Sequence, residues 1–257
     1  MSCLPLVGCL GSGYLATSLY LLRYPSQRFR KARMMPRVSL IAHRGGAGEG
    51  HENTLAAYHR AVEAGAGMLE LDVHLARDGE VVVAHDQRLL RLTGVDQNIR
   101  DLTYTELPRV KEKLNIDFCP GEYFCDNSVM PEKRTFARLE DVLKTFPDTQ
   151  INIDVKVQDA GLVEAVNTII VENQAEGRCV WGSFSRATTE RCHQTNPNIG
   201  LIFSMARVVQ VYILFYLGLL SFINIKETHL ELPMPSIFYD EKYRSGKITS
   251  HMVHLKV

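Results

Sequence analysis

The chain has 257 residues, 46% of them hydrophobic and 23% charged, with 29 Lys+Arg against 29 Asp+Glu. That length suits one domain of the size of an α/β barrel. Zero net charge excludes nucleic-acid binding through bulk electrostatics, ordinary Gly and Pro counts exclude a disordered or collagen-like chain, and six cysteines are too few for a disulfide scaffold. The cysteines show no C-x-x-C spacing, so a zinc knuckle or thioredoxin-like site is not expected. Cys119 and Cys125 are close enough in sequence to bridge in an oxidising compartment, but free thiols are the simpler reading.

Residues 1–22 carry no charged side chain, and Arg23, Arg28, Arg30, Lys31, Arg33 and Arg37 follow at once. About 20 apolar residues cross a bilayer as a helix. A signal peptide needs its positive charge before the apolar run, and here it comes after. The pattern predicts an uncleaved transmembrane anchor over 1–24, a basic juxtamembrane linker over 25–37 and a cytoplasmic domain beyond.

Residues 37–42 read as a short buried strand running into His43-Arg44-Gly45-Gly46. Residues 53–64 have helical spacing and end at Gly65 and Gly67. Met68 to Leu75 alternates, with Glu70, Asp72 and His74 on one face. A turn at Arg77-Asp78-Gly79 leads to a return strand over 81–84, which ends at His85-Asp86. Residues 86–135 lack regular patterning and read as an insertion over the site. Strands are then expected at 151–157, 180–184 and 199–203, with a helix at 162–170. Strands alternating with helices imply a parallel sheet in an α/β fold. A second uncharged run, 208–225, follows the 199–203 strand. Were it a span, the strands on either side would face opposite sides of the membrane, so an outer helix facing the membrane is the better reading.

Glu70 and Asp72 share a strand face and repel each other without a cation between them. Asp154 is a third acid at a strand end. Three such acids suit a hard divalent cation with oxygen ligands. His43 and His85 both sit at carboxyl ends of strands, where parallel α/β folds build their sites, and two imidazoles suit acid–base work on either side of a phosphorus. Arg44 and Lys156 supply positive charge for a phosphate and its transition state.

The ordered set His43-Arg44-Gly45, Glu52-Asn53-Thr54, Glu70-Leu71-Asp72-Val73 and His85-Asp86 resembles the glycerophosphodiester phosphodiesterase family, over about residues 38–157. The two apolar runs look closest to its membrane-anchored mammalian subgroup, which has lysophospholipase D activity. The resemblance implies a TIM barrel of the phospholipase-C-like phosphodiesterase type and metal-dependent phosphodiester hydrolysis. It implies His43 and His85 as the acid–base pair, Glu70 and Asp72 as metal ligands, and Asp154-Val155-Lys156 in place of the usual Glu-x-Lys. His85 is a further candidate ligand, Mg²⁺ or Ca²⁺ the expected cation, and a lysophospholipid or glycerophosphodiester the expected substrate. Lysophosphatidic acid and a headgroup alcohol would be the products. The expected location is the endoplasmic reticulum or perinuclear membrane, with no protein or nucleic-acid partner. Two positions depart from the family pattern: Asp154 is one methylene short, and His51 stands where a proline often precedes Glu-Asn-Thr.

The family's late strands are missing from the sequence. The domain is therefore expected over 38–225, with an atypical tail at 226–257 and a barrel incomplete at its C-terminus. Only 247–257 in that tail reads as a strand. The catalytic residues all precede 157, which favours an active phosphodiesterase. Missing strands favour the alternative, an inactive membrane protein with an open barrel.

Overall fold

The computed structural model describes residues 4–24, 35–117, 121–126, 130, 134–233 and 252–256. Cys119 and the basic run from Arg28 to Arg33 lie outside the described residues, while Cys179 and Cys192 are buried free thiols. The fold is an α/β sheet of the barrel type. Its parallel part runs β1 (Ile41–Ala42), β2 (Met68–Leu75), β7 (Gln150–Val155), β8 (Cys179–Gly182) and β9 (Gly200–Leu201). From β2 an antiparallel flap leads to β3 (Val81–Val83) and then β6 (Ala137–Arg138). Among the described residues β1 pairs with β2 alone.

The β2–β7 register places Leu69 opposite Ile151, Glu70 opposite Asn152, Leu71 opposite Ile153 and Asp72 opposite Asp154. Alternation then sorts the two faces. Leu69, Leu71, Val73, Ile151, Ile153 and Trp181 join Leu162, Val163 and Val166 of helix α5 (Ala160–Glu172) in the main core. On the other face Met68, Val180 and Ile202 form an apolar floor with Met35. Glu70, Asp72, Asn152 and Asp154 lie above it, towards the carboxyl ends of the strands.

The insertion expected over 86–135 has a core of its own, built on Leu89, Leu92, Ile99, Leu114 and Phe136 under β3. Its hairpin of β4 (Lys113–Asn115) and β5 (Tyr123–Cys125) packs against the loop after β1, where the His51 ring nitrogen meets the Glu112 carbonyl at 3.0 Å.

The strand expected within 247–257 is β11 (Met252–Lys256), and the tail holds one more: β10 (His229–Pro233) pairs antiparallel with β11 and meets the end of β9 through a parallel bridge between Ile202 and His229. Alternation in His-Leu-Glu-Leu-Pro is too short, and too close to two prolines, to stand out in sequence. The N-terminal run forms a helix, α1 (Leu4–Arg23), but among the described residues no helix is long and apolar enough to cross a membrane. The expected transmembrane span over 1–24 falls on this helix. Its polar residues have local partners: the Tyr14 hydroxyl donates to the Leu217 carbonyl at 3.1 Å, and the Ser18 and Ser221 hydroxyls are 3.1 Å apart. The second uncharged run forms α7 (Met205–Tyr216) and a turn at 220–222. Twelve residues reach about 18 Å, short of the roughly 30 Å hydrocarbon core.

Candidate active site

His43 and Arg44 leave β1 in a tight turn that the chain must enter with left-handed backbone. Arg44 has φ 52°, and Gly45 follows at φ 75°. A Cβ on Gly45 would lie 2.8 Å from the Tyr58 ring, so only glycine fits there. The turn brings the Arg44 N–H to Glu70 Oε2 at 2.8 Å and His43 Nε2 to within 4.0 Å of the same oxygen. The Glu52-Asn53-Thr54 segment then locks the arrangement. Asn53, at φ 58°, donates from Nδ2 to Asp72 at 2.9 Å and accepts from the Tyr58 hydroxyl at 2.7 Å. Thr54 caps helix α2 (Leu55–Glu63), its hydroxyl accepting from the Ala57 N–H. Glu52 pairs with Arg44 at 3.3 Å and with Arg91 at 2.6 Å, so it orders the loop.

Asp72 is fully buried between two cations, with Arg44 Nε at 3.5 Å and Lys156 Nζ at 2.8 Å. Burial alone would raise its carboxyl, but Lys156 and Arg44 outweigh that and hold it at about 2. Lys156 also reaches Asp154 at 2.6 Å. Burial and the nearby Asp72 push Glu70 well above the ordinary carboxylate range, and burial raises Asp154 as well. Burial, with Arg44 adding to it, lowers the His43 imidazole to about 4. His43 is therefore neutral at physiological pH.

His85, two residues past the end of β3, is oriented by Asp86: Nδ1 lies 2.7 Å from Asp86 Oδ1. A carboxylate can only accept, so Nδ1 carries the proton in this bond. Arg91 holds Asp86 in turn at 2.6 Å, and the His74 ring Nε2 contacts the His85 carbonyl at 3.1 Å.

All seven residues singled out in the sequence, His43, Arg44, Glu70, Asp72, His85, Asp154 and Lys156, converge at this end of the sheet. Sequence reading missed Asn53, Asp86, Arg91 and Asp117 as parts of it. Asp117, from the insertion, lies 2.8 Å from Arg44 and 3.6 Å from His85. Its distance in sequence and the unpatterned segment around it left no signal; Asp86, beside His85 in the motif, did.

Two acidic groups could hold a cation. His85, Asp86 and Asp117 have ligand atoms all within 4.8 Å of one another, the one such group among the described residues. Its acids, however, are already neutralised by Arg91 and Arg44. Glu70, Asp72 and Asp154 are less tightly gathered but more deeply buried, and Asp154 Oδ1 has no hydrogen-bond partner. An all-oxygen set with an orphaned carboxylate oxygen and a strongly disfavoured Glu70 charge fits a hard divalent cation.

Residues 43–233 match the glycerophosphoryl diester phosphodiesterase family. The chain is 42% identical to the Homo sapiens lysophospholipase D GDPD1 over 237 residues, covering 90% of this chain and 72% of that protein. It is 35% identical to the Mus musculus lysophospholipase D GDPD3, covering 89% and 67%. In fold it resembles the crystal structure of the glycerophosphoryl diester phosphodiesterase domain of Mycobacterium tuberculosis Rv2277c, with a TM-score of 0.58 and 18% identity over 88% of this chain and 80% of that one. With two imidazoles, three buried acids and two cations gathered at one end of the sheet, the chain belongs to the glycerophosphoryl diester phosphodiesterase family and is a phosphoric diester hydrolase.

Proposed function

We propose that this protein hydrolyses lysophospholipids in the manner of a lysophospholipase D, releasing a headgroup alcohol and leaving lysophosphatidic acid. The observation that carries this is the pairing of a neutral His43 with an Asp86-oriented His85 across one group of buried acids and cations. The two relatives' names supply the substrate class.

In this reading His43 Nε2 takes the proton from the attacking oxygen, which belongs to water or to the free glycerol hydroxyl of the substrate. The second route passes through a cyclic phosphate that water then opens. His85 delivers a proton from Nε2 to the departing alcohol while Asp86 stabilises the imidazolium. Arg44 and Lys156 bind the non-bridging phosphate oxygens. Glu70, Asp72 and Asp154, with His85 nearby, would hold Mg²⁺ or Ca²⁺. That cation would supply charge neutralisation on the phosphate.

A membrane surface is the natural place for such a substrate. Helix α1 meets the 220–222 turn after α7, where Tyr14 stacks on Phe222 at 5.8 Å, and both helices leave large apolar side chains exposed, among them Leu15, Leu19, Ile213, Phe215 and Tyr216. This face is proposed to lie on the lipid surface, with the cleft opening above it, in place of a second span at 208–225. Attachment of the expected 1–24 segment to an internal membrane belongs to the same proposal.

The test compares choline release from lysophosphatidylcholine with that from glycerophosphocholine, by purified full chain with added Mg²⁺ or Ca²⁺. Faster turnover of the lysolipid supports the reading. Faster turnover of the water-soluble diester assigns the protein to that substrate instead, and metal-independent release by a His43→Ala variant at the parent rate removes the proposed mechanism.

A further inference from the structure

One acid of the site comes from the strand that sequence reading did not find. The Thr228 N–H donates to the Leu201 carbonyl at 2.8 Å, and the Phe203 N–H donates to the His229 carbonyl at 3.0 Å. These bonds set β10 beside β9 at their junction. Side chains alternate along a strand, so His229 and Glu231 share a face. Glu231 accepts a hydrogen bond from Asn152 Nδ2. Asn152 stands opposite Glu70 in the β2–β7 register and two residues before Asp154 on the same strand face. The Glu231 carboxylate thus enters the polar layer formed by Glu70, Asp72 and Asp154.

The charge balance of that layer is uneven. Four carboxylates, on Glu70, Asp72, Asp154 and Glu231, share two cations, Arg44 and Lys156, and Arg44 is also committed to Glu52 and Asp117. Buried like charges are costly without a counter-charge. Burial and Asp154 push the Glu231 carboxyl up to about 7, and Glu231 in turn contributes to raising Glu70. Beside it, two polar side chains more than nine-tenths buried have an oxygen with no hydrogen-bond partner: Asn152 Oδ1 and Asp154 Oδ1. Four carboxyl groups against two shared cations, with orphaned oxygens on Asn152 and Asp154 beside them, suit a divalent cation.

We propose that Glu231 is a metal-binding residue, through which β10 completes the divalent-cation site formed by Glu70, Asp72 and Asp154. This rests on reading that face as the cation site. It gives the segment after 225 a role in the site and places the site's donors on three strands.

The experiment is a titration of the full chain with MgCl2 and with CaCl2 alone, read by calorimetry and by the metal-dependent shift in Tm. It compares the parent with Glu231→Gln and Glu70→Gln. Glutamine keeps the acceptor for Asn152 and removes only the charge. The expected result is a metal-free Tm close to the parent's and an affinity at least about tenfold weaker, the lower end of what losing even an outer-shell partner costs. Parent affinity in Glu231→Gln, with binding lost in Glu70→Gln, overturns the proposal and leaves the site reading intact. No binding by the parent, or parent affinity in Glu70→Gln, overturns the site reading and the proposal with it. If Glu231→Gln does not fold, Glu231→Asp decides: it keeps the charge and shortens the reach, so weakened affinity supports metal binding and unchanged affinity overturns it. If neither variant folds, Glu231 belongs to the scaffold and the proposal falls.

Discussion

The strand pair β2–β7 and the strand β10 bring acids to one face by different means. β2 and β7 are paired over six residues, and every residue of that register is buried. β10 joins the sheet through one bridge at His229 and the backbone bonds beside it. The first arrangement makes Glu70, Asp72 and Asp154 inseparable from the core, because Leu69, Leu71 and Ile153 alternate with them. The second adds a carboxylate through a strand with few bonds to the main sheet. Chemistry placed on a deep register is rigid and costly to disturb, whereas chemistry on a strand joined to that sheet at one point can be altered separately.

The comparison breaks first if activity does not depend on the deep register's neighbours. His43→Ala is expected to lower kcat by about 10²–10⁴, the usual worth of a general acid–base group, with Tm unchanged. Choline release and a thermal melt of the same sample read both quantities. On stability, Ile153→Ala in β7 removes a fully buried side chain at the centre of the register. It is expected to cost about 2–5 kcal/mol in urea unfolding. Thr228→Ala, at the junction of β9 and β10, removes the hydroxyl that accepts from the buried Leu201 N–H at 3.0 Å. The expected cost is about 1–3 kcal/mol; a loss as large as that of Ile153→Ala would put both regions on one footing.

Acid sensitivity sharpens the picture around His85. Burial works to raise the Asp86 carboxyl, but its hydrogen bonds with His85 and Arg91 outweigh this and depress it. A depressed folded pKa contributes stability above the unfolded value of about 3.9. That contribution is lost as pH falls below it. Arg91→Met should therefore flatten the fall in urea midpoint between pH 5 and lower pH, and an unchanged slope would remove Arg91 from this role. The smallest stability effect belongs to the exposed face. Ile213→Ser on α7 is expected to change stability by no more than about 0.5 kcal/mol. It should weaken cosedimentation with phosphatidylcholine vesicles, and full retention would exclude α7 from the lipid contact.

Much of the site was legible because its motifs are local. His43-Arg44-Gly45 carries its own turn, and Met68 to Leu75 carries its own alternation, so the strand and its acid-bearing face were read with the observed bounds. β1 was read too long, since pairing with β2 covers only Ile41 and Ala42. Asp117 and Glu231 were not legible. Each reaches the site from a segment without periodicity, and each finds its partner only through a fold that joins residues 73 and 79 positions apart.

The sequence by itself determined the main parallel strands up to residue 203, seven acids, imidazoles and cations of the site, and the family, because these follow from periodicity and from motifs a few residues long. Tertiary structure alone decided three things. Asp86 and Arg91 orient His85, Asp117 ties the insertion to Arg44, and β10 carries Glu231 to the acids of β2 and β7. Contacts of that kind depend on which distant segments the sheet brings together, and burial then makes their charges matter. The opening arithmetic of 29 against 29 charges is silent on where they lie, and the fold gathers an excess of acids around one buried face.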